Sequence, residues 1–398
     1  MARELFGRNP VEPTWWNSKA DGQSPDGSTG TNRLGRAMTR EAGSARPSSC
    51  LRCRLPASGR DRKAPMTTDE TRMMQAVDAA RIARRRSSPN PWVGCVLECR
   101  DGRVYVGATE PPGGRHAEIV ALDAARADGA DPRGAVVHTT LEPCSHQGRT
   151  GPCTRALIDA GVARVSSALE DPDTNVSGRG HAALRDAGIE VSVGCLADDA
   201  REQLLPYLHH RRTGRPFVVA KIAATIDGRT AAADGSSRWI TGEVARTAVH
   251  ELRADSDAIV VGAATVRADD PELTTRLVDG PSPRRVVLGR APEGARVHPC
   301  TEWNGSLEEL LERLGGEGVL QLLVEGGART TASFHEAELV NRYVIHVAPA
   351  FLGSNGRPML DGNGAATMAG IRRGRIVSTR RLGDDIEIVI DPTSKENT

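Results

Sequence analysis

Gly114-Arg115-His116-Ala117-Glu118, followed by Glu142-Pro143-Cys144-Ser145-His146 and Gly151-Pro152-Cys153, is the part of this 398-residue chain from which the rest is read. It offers one imidazole, a carboxylate two residues on, and two thiols. A catalytic zinc takes three protein ligands and keeps a fourth position open, and His116, Cys144 and Cys153 supply three. Two thiolates and a neutral imidazole bring the dication near neutrality, and the metal makes water in the open position a far better acid. Glu118 is then the proton shuttle. Residues two apart on an ideal helix point to nearly opposite sides. His116 and Glu118 therefore share a site only where a helix begins, and Gly113-Gly114 favours such a start. Cys153 also opens a helix, over Thr154 to Ala160, and a helix N-terminus stabilises a thiolate. Cys144 follows a strand through Pro143, at the end of a strand where α/β proteins collect ligands. His146 competes as a ligand, but Cys153 has the better helix position, which leaves His146 to the pocket wall. A closed zinc site, or two buried thiols, would use the same residues.

Outward from this stretch, apolar spacing and turn residues predict alternating elements. Met73, Met74, Val77, Ala80 and Ile82 suit one face of a helix, which Ser88-Pro89-Asn90-Pro91 must stop. Val93 to Leu97 and Val104-Tyr105-Val106 read as strands joined through Asp101-Gly102. Helices follow at His116 to Ala127, Thr154 to Ala160 and His181 to Ala187. The matching strands are Ala135 to Thr140, one beginning at Ala163-Arg164-Val165, and Ile189 to Val193. That alternation implies an α/β layered domain over 66–210 with a partly parallel sheet. Pro206 to Pro216 reads as a connector, with His209 and His210 at a solvated helix end. A second α/β domain over 215–393 opens on the strand Phe217 to Lys221 and turns at Asp227-Gly228-Arg229. Its next helix has Thr241 as cap, with a partner acid a little beyond. Buried strands are expected at Ala258 to Gly262 and Val319 to Val324. The latter runs into Glu325-Gly326-Gly327-Ala328, a strand, glycine turn and helix start that can hold an anion.

Composition limits the alternatives. Net charge is +1, from 52 Lys+Arg against 51 Asp+Glu, and aromatic residues are 3%. This argues against a nucleic-acid groove, which needs a basic track with stacking rings. No apolar run reaches the roughly 18–20 residues of a bilayer span, and no signal peptide is evident, so the expected address is cytoplasmic. Eight cysteines spread over this length suit metal or buried thiols better than a disulfide framework. Residues 1–65 are rich in Gly, Pro, Ser and Arg and have no sustained period. They read as a disordered or mis-assigned extension ahead of Met66, in which Cys50 and Cys53 lack a second ligand pair.

The order H-x-E, then P-C, then a second Cys matches the zinc-deaminase signature, except that eight residues rather than two separate the thiols. With Pro89-Asn90-Pro91-Trp92-Val93-Gly94, Thr140 to His146, Asp171-Pro172 and Gly178-Arg179-Gly180, these residues resemble the deaminase half of the RibD family of bifunctional riboflavin-biosynthesis enzymes. Lys221, Asp227-Gly228, Trp239-Ile240-Thr241, Arg253, Thr265, Asp269-Asp270-Pro271, Leu273-Thr274 and Val324 to Gly327 resemble its reductase half. The resemblance covers nearly everything from Met66 onward. It implies a cytidine-deaminase-like α/β/α domain followed by a dihydrofolate-reductase-like α/β domain. It also implies zinc at His116, Cys144 and Cys153, with Glu118 as shuttle. Ala223, Trp239, Thr265, Asp269, Gly326 and Gly327 would hold NADPH, and Ser237, Arg253, Leu273, Arg276 and Glu325 the sugar phosphate. The implied substrate is 2,5-diamino-6-ribosylamino-4(3H)-pyrimidinone 5′-phosphate, deaminated and then reduced in its ribosyl chain. A homo-oligomer without nucleic-acid or membrane partners is expected. Gly289-Arg290 stands where many relatives carry an Asp, and the stretch from Ala291 to Gly305 looks short, as if a strand and loop were missing. A deaminase with a degenerate reductase, a nucleoside or nucleic-acid deaminase, and a ligand-sensing module with structural zinc are the rival readings.

Overall fold

The structure is a computed structural model that describes residues 66–146, 151–173 and 176–393. The expected extension over 1–65, including Cys50 and Cys53, lies outside the described residues, as does 147–150 of the segment between Cys144 and Cys153.

The first helix, α1 (Thr68–Ser87), begins at a capping box in which Thr67 and Glu70 each accept the other's backbone N–H. Met73, Ala76, Val77, Ala80 and Ala83 form its buried face. Ile82, expected on that face, is 70% exposed. It lies nine residues from Met73, about 180° around the helix. Then come β1 (Gly94–Glu98), β2 (Val104–Ala108), α2 (Ala117–Ala127), β3 (Val136–Thr139), α3 (Cys153–Ala160) and β4 (Arg164–Ser167). Next are α4 (Arg179–Asp186), which starts two residues before the expected His181, and β5 (Glu190–Val193). The five strands form one sheet in the order β2-β1-β3-β4-β5, parallel across β3, β4 and β5 and antiparallel at β1 and β2. The expected connector is instead the second half of a helix, α5 (Ala197–Thr213), with Pro206 inside it. Its far end is not solvated: His210 is buried and its Nε2 pairs with the Gly315 carbonyl at 3.0 Å. Proline inside a helix removes one N–H, and tertiary burial of Tyr207, Leu208 and His210 overrides that cost.

The second half comprises β6 (Phe217–Thr225), β7 (Arg229–Ala231), α6 (Glu243–Ala254), β8 (Ala258–Gly262), α7 (Ala263–Asp269), β9 (Arg284–Leu288), β10 (Thr301–Trp303), α8 (Leu307–Gly316), β11 (Gln321–Val324), α9 (Ala328–Glu336), β12 (Arg342–Ala348), β13 (Arg357–Pro358), β14 (Gly374–Leu382) and β15 (Asp385–Pro392). Eight strands make a sheet in the order β10-β9-β8-β11-β6-β12-β15-β14. It is parallel from β10 to β12 and antiparallel beyond. Alternate residues of β6 serve opposite cores. Val218 and Ala220 pack with Leu310 and Leu314 of α8 and Phe334 of α9, while Phe217 and Val219 pack with Val266 of α7. Helices thus cover both faces of the parallel part. Two expectations need correction. Gly242, not Thr241, is the N-cap of α6, and the Asp385 carboxylate accepts its N–H at 2.7 Å. The stretch 291–305 does hold a strand, β10, only three residues long and parallel to β9.

The two halves pack together. Leu320 is fully buried in the core of the first, Arg84 donates to Gln321 at 2.7 Å, and Arg85 pairs with Asp255 at 2.7 Å. Among the described residues no helix is long and apolar enough to cross a membrane.

Candidate active site

His116 is the N-cap of α2 in extended conformation, and its side chain caps nothing. Glu118 is the second helical residue. The break in helical geometry at His116 lets both side chains face one spot. Cys153 is the first residue of α3, and Cys144 stands in the loop after β3. His116 Nδ1 lies 3.5 Å from Cys144 Sγ and 3.3 Å from Cys153 Sγ, and the three donor atoms all fall within 4.8 Å of one another. Tetrahedral ligation with ordinary Zn–S and Zn–N bonds separates donor atoms by about 3.5–3.7 Å, and both His–Cys distances lie close to that spacing, so the set suits zinc. His146 is exposed and not part of that group.

The electrostatics suit a cation. The Cys153 N–H donates to Cys144 Sγ at 3.4 Å. Hydrogen bonding from Cys153, foremost, and from His116 brings the Cys144 thiol down to about 4 against the opposing effect of burial. The same contact, with burial and the nearby Glu118, pushes the Cys153 thiol up. Two thiols sharing one proton beside an imidazole form a site that a dication would complete. Glu118 is 4% exposed. Burial first, and then the Cys144 charge, pushes its carboxyl up to about 7, close to neutrality and suited to both taking and giving a proton.

The support beneath Cys144 is a residue that sequence reading quoted but gave no role. Glu142 is buried and accepts four backbone N–H groups: Gly180 at 2.8 Å, Gly178 at 3.0 Å, and Asp171 and His181 at 3.2 Å. It ties the Pro143-Cys144 turn to the start of α4. A side chain at Gly180 would stand 2.1 Å from the Pro143 carbonyl, so only glycine allows this approach. The signal was present as Glu142-Pro143 and Gly178-Arg179-Gly180, but their pairing across 38 residues needs the fold.

In the second half, the structure brings some expected residues together and leaves others apart. Arg253 grips Glu325 with two hydrogen bonds of 2.6 and 2.8 Å and donates to the Thr274 carbonyl at 3.0 Å. Arg276 joins this group through Thr274 Oγ1 at 2.8 Å and Glu272 at 2.6 Å. Leu273, between them, is buried with φ 55°, a left-handed backbone that is strained for a branched residue. Thr265 Oγ1 accepts the Gly327 N–H at 3.2 Å, which links α7 to the glycine turn. A side chain at Gly326 would meet Thr330 Cβ at 2.5 Å. Asp269 accepts from Arg238 through its carbonyl at 2.6 Å. Trp239 is exposed, with the Arg246 guanidinium 4.7 Å from its ring centroid. Ala223 sits on β6 opposite His346, and Ser237 makes no side-chain hydrogen bond among the described residues. Lys221 was not assigned a role from sequence. Burial holds its ammonium below the usual range, opposed by the Glu325 carboxylate beside it. A lysine ending the apolar run Phe217 to Ala220 was the available signal.

A partly buried His/Cys/Cys donor set with a buried carboxylate at a helix start, on a five-stranded sheet, precedes a larger sheet with a glycine turn at the end of a parallel strand. This defines a two-domain α/β enzyme, a zinc-dependent deaminase domain followed by a reductase domain. Comparison with known proteins agrees in both halves. The family model described as the cytidine and deoxycytidylate deaminase zinc-binding region matches residues 66–169, and that of the RibD C-terminal domain matches 216–388. The riboflavin biosynthesis protein RibD of Chlamydia muridarum is 38% identical over 363 residues, 82% of this chain and 97% of that protein. RibD of Mycobacterium tuberculosis is 41% identical over 326 residues, 78% of this chain and 94% of that protein. Among solved structures, Acinetobacter baumannii RibD superposes with a TM-score of 0.75 at 34% identity, over 82% of this chain and 99% of its own. The Thermotoga maritima diaminohydroxyphosphoribosylaminopyrimidine deaminase/5-amino-6-(5-phosphoribosylamino)uracil reductase gives 0.75 at 32% identity over the same shares. The chain belongs to the RibD family.

Proposed function

We propose that the chain deaminates 2,5-diamino-6-ribosylamino-4(3H)-pyrimidinone 5′-phosphate and then reduces the ribosyl chain to ribityl, two consecutive steps of riboflavin biosynthesis. The observation that carries the first step is the donor triangle of His116, Cys144 and Cys153 with buried Glu118 beside it. Those three residues would hold zinc, which when bound would supply a Lewis acid for activating water. Glu118 takes that water's proton and delivers protons to the ring nitrogen and to the departing ammonia. Its burial beside the donor set at the start of α2 suits both transfers. Glu142 acts through Cys144 and holds the ligand turn in place.

For the second step, reduction at C1′ of the ring-opened imine, NADPH would supply the hydride when bound. Ala223, Trp239, Thr265, Asp269 and the Gly326-Gly327 turn are its expected contacts. Ser237, Leu273, Arg276 and the Arg253–Glu325 pair receive the sugar phosphate. We assign the deaminase to 66–210 and the reductase to 215–393, and we expect the enzyme to self-associate in the cytoplasm without nucleic-acid partners.

Glu118→Gln tests the deaminase assignment. Zinc content should stay near that of the parent, by atomic absorption, while ammonia release falls by about 10²–10⁴. Unchanged deamination with zinc retained would remove Glu118 from the mechanism.

A further inference from the structure

Between α7 and β9 the segment 270–283 forms neither helix nor strand. It carries Leu273 and Arg276, two of the residues expected to receive the sugar phosphate. A long loop needs fixed points on a rigid scaffold if its side chains are to meet a ligand at a set distance. This loop has one at each end and one in its middle. At the near end the Asp270 carboxylate accepts the Arg296 N–H at 2.8 Å. In the middle, the Arg276 N–H donates to His250 Nδ1 at 2.9 Å and Arg253 donates to the Thr274 carbonyl at 3.0 Å, both partners being on α6. The far anchor comes from the other half of the molecule. Arg85, in the last turn of α1, donates through Nη1 to the Asp279 carbonyl at 2.9 Å and through Nε to Asp255, the C-cap of α6, at 2.7 Å.

One guanidinium thus holds both the far end of the loop and the end of the helix beneath it. The loop closes on this anchor at Gly280, where φ is 146° and an added Cβ would stand 2.7 Å from Ala254 Cβ and 3.2 Å from Arg85 Cδ. The returning arm then grips the side expected to face substrate. Ser282 Oγ accepts the Thr275 N–H and the Pro281 carbonyl accepts the Thr275 hydroxyl, each at 3.0 Å. Position therefore passes in a few bonds from Arg85 to Thr275, next to Arg276. The Arg85 and Asp255 side chains are 33% and 26% exposed, and an ion pair so placed adds little to stability. A planar guanidinium reaching two acceptors fixes geometry instead.

We propose that Arg85, a residue of the deaminase half, is a positioning residue for the reductase, fixing the 270–283 loop so that Leu273 and Arg276 meet the sugar phosphate. The proposal rests on the reductase reading above and adds to it a dependence of the second reaction on the first half of the chain.

The test compares Arg85→Ala, Gly280→Ala and Glu202→Gln with the parent, all as the full chain, with thermal unfolding as the control for folding. Glu202 pairs with Arg342 across the same join and has no hydrogen bond or ion pair to the loop among the described residues, so it reports a general loosening of the halves. NADPH oxidation on the deaminated intermediate, ammonia release from the diaminopyrimidine, and hydrogen exchange at the Thr275 and Arg276 amides are measured below the unfolding transition. Arg85→Ala and Gly280→Ala should each raise KM for the intermediate about tenfold, with kcat, KM for NADPH and the deaminase rate within about twofold, the pattern of lost substrate binding away from the reacting carbon. Both amides should exchange about tenfold faster in these variants. Glu202→Gln should leave every one of these quantities within about twofold of the parent. An unmoved KM in Arg85→Ala with faster exchange makes Arg85 a structural tie only and overturns the proposal. An equal rise of KM in Glu202→Gln overturns it as well. A parent that oxidises no NADPH sinks the reductase reading and the proposal with it, whereas a parent that turns over, with Arg85→Ala and Gly280→Ala unmoved, sinks the proposal alone.

Discussion

Glu142 shows how one buried carboxylate can hold a metal site that it does not touch. Four backbone N–H groups point at its two oxygens, each within 3.2 Å. Glu142→Ala would strand these donors in the interior, and each unsatisfied buried group costs about 1–3 kcal/mol. Even with water entry, a loss of at least about 3 kcal/mol is expected in denaturant unfolding, together with zinc loss, because Cys144 is two residues away. Glu142→Gln keeps one acceptor oxygen but turns an NH₂ toward N–H groups, so it should recover only part of the loss. Full stability and full zinc content in Glu142→Ala would contradict this role. The residue scale also shows what a sequence can carry. His116, Cys144 and Cys153 were legible because metal chemistry restricts ligand type and helix starts restrict placement. Glu142 was not, because its function lies in contacts to Asp171, Gly178, Gly180 and His181, which are set by folding rather than spacing.

At the scale of elements, the pairing of β12, β15 and β14 carries a buried charge. Glu387 on β15 meets His346 on β12 at 3.1 Å and Arg380 on β14 at 2.6 Å. Burial pushes its carboxyl up, but the hydrogen bonds from His346 and Arg380 outweigh that and hold it at about 2, against an ordinary 4.5. The folded-state value is depressed, so the carboxylate's contribution is complete above pH 4.5 and is lost as pH falls toward 2. We expect Glu387→Gln to lower the unfolding free energy by on the order of 2 kcal/mol at pH 7. The gap to the parent should narrow steadily between pH 5 and pH 3 in thermal melts. A gap that stays constant over that range would place its origin in packing instead. Elements with a clean period, such as β1, β3 and β8, were readable from sequence. The second half of α5 was not, because Pro206 breaks the local rule and burial of Tyr207 and His210 restores the helix. The cap of α6 was misread because its acid, Asp385, comes from 143 residues away.

At the scale of the whole molecule, the described residues pack as one unit across the join between the sheets. Leu320 enters the first core, while Arg84, Arg85 and His210 reach the second half. Equilibrium unfolding followed by far-UV circular dichroism and by tryptophan fluorescence should therefore give coincident transitions. Separate midpoints for the two probes would show halves that unfold independently. The two-sheet order was legible in the alternation of apolar runs, whereas the contacts joining the halves, made by side chains far apart in sequence, were not. The central claim, one chain with two consecutive activities, is tested most directly by a stepwise assay on the purified enzyme. Ammonia and NADPH absorbance are followed together, first with the diaminopyrimidine substrate alone and then after NADPH is added. The account predicts one ammonia per substrate without NADPH, followed on addition by one NADPH oxidised per ammonia released. A folded enzyme that releases ammonia but never oxidises NADPH, or that oxidises NADPH without prior deamination, would contradict it.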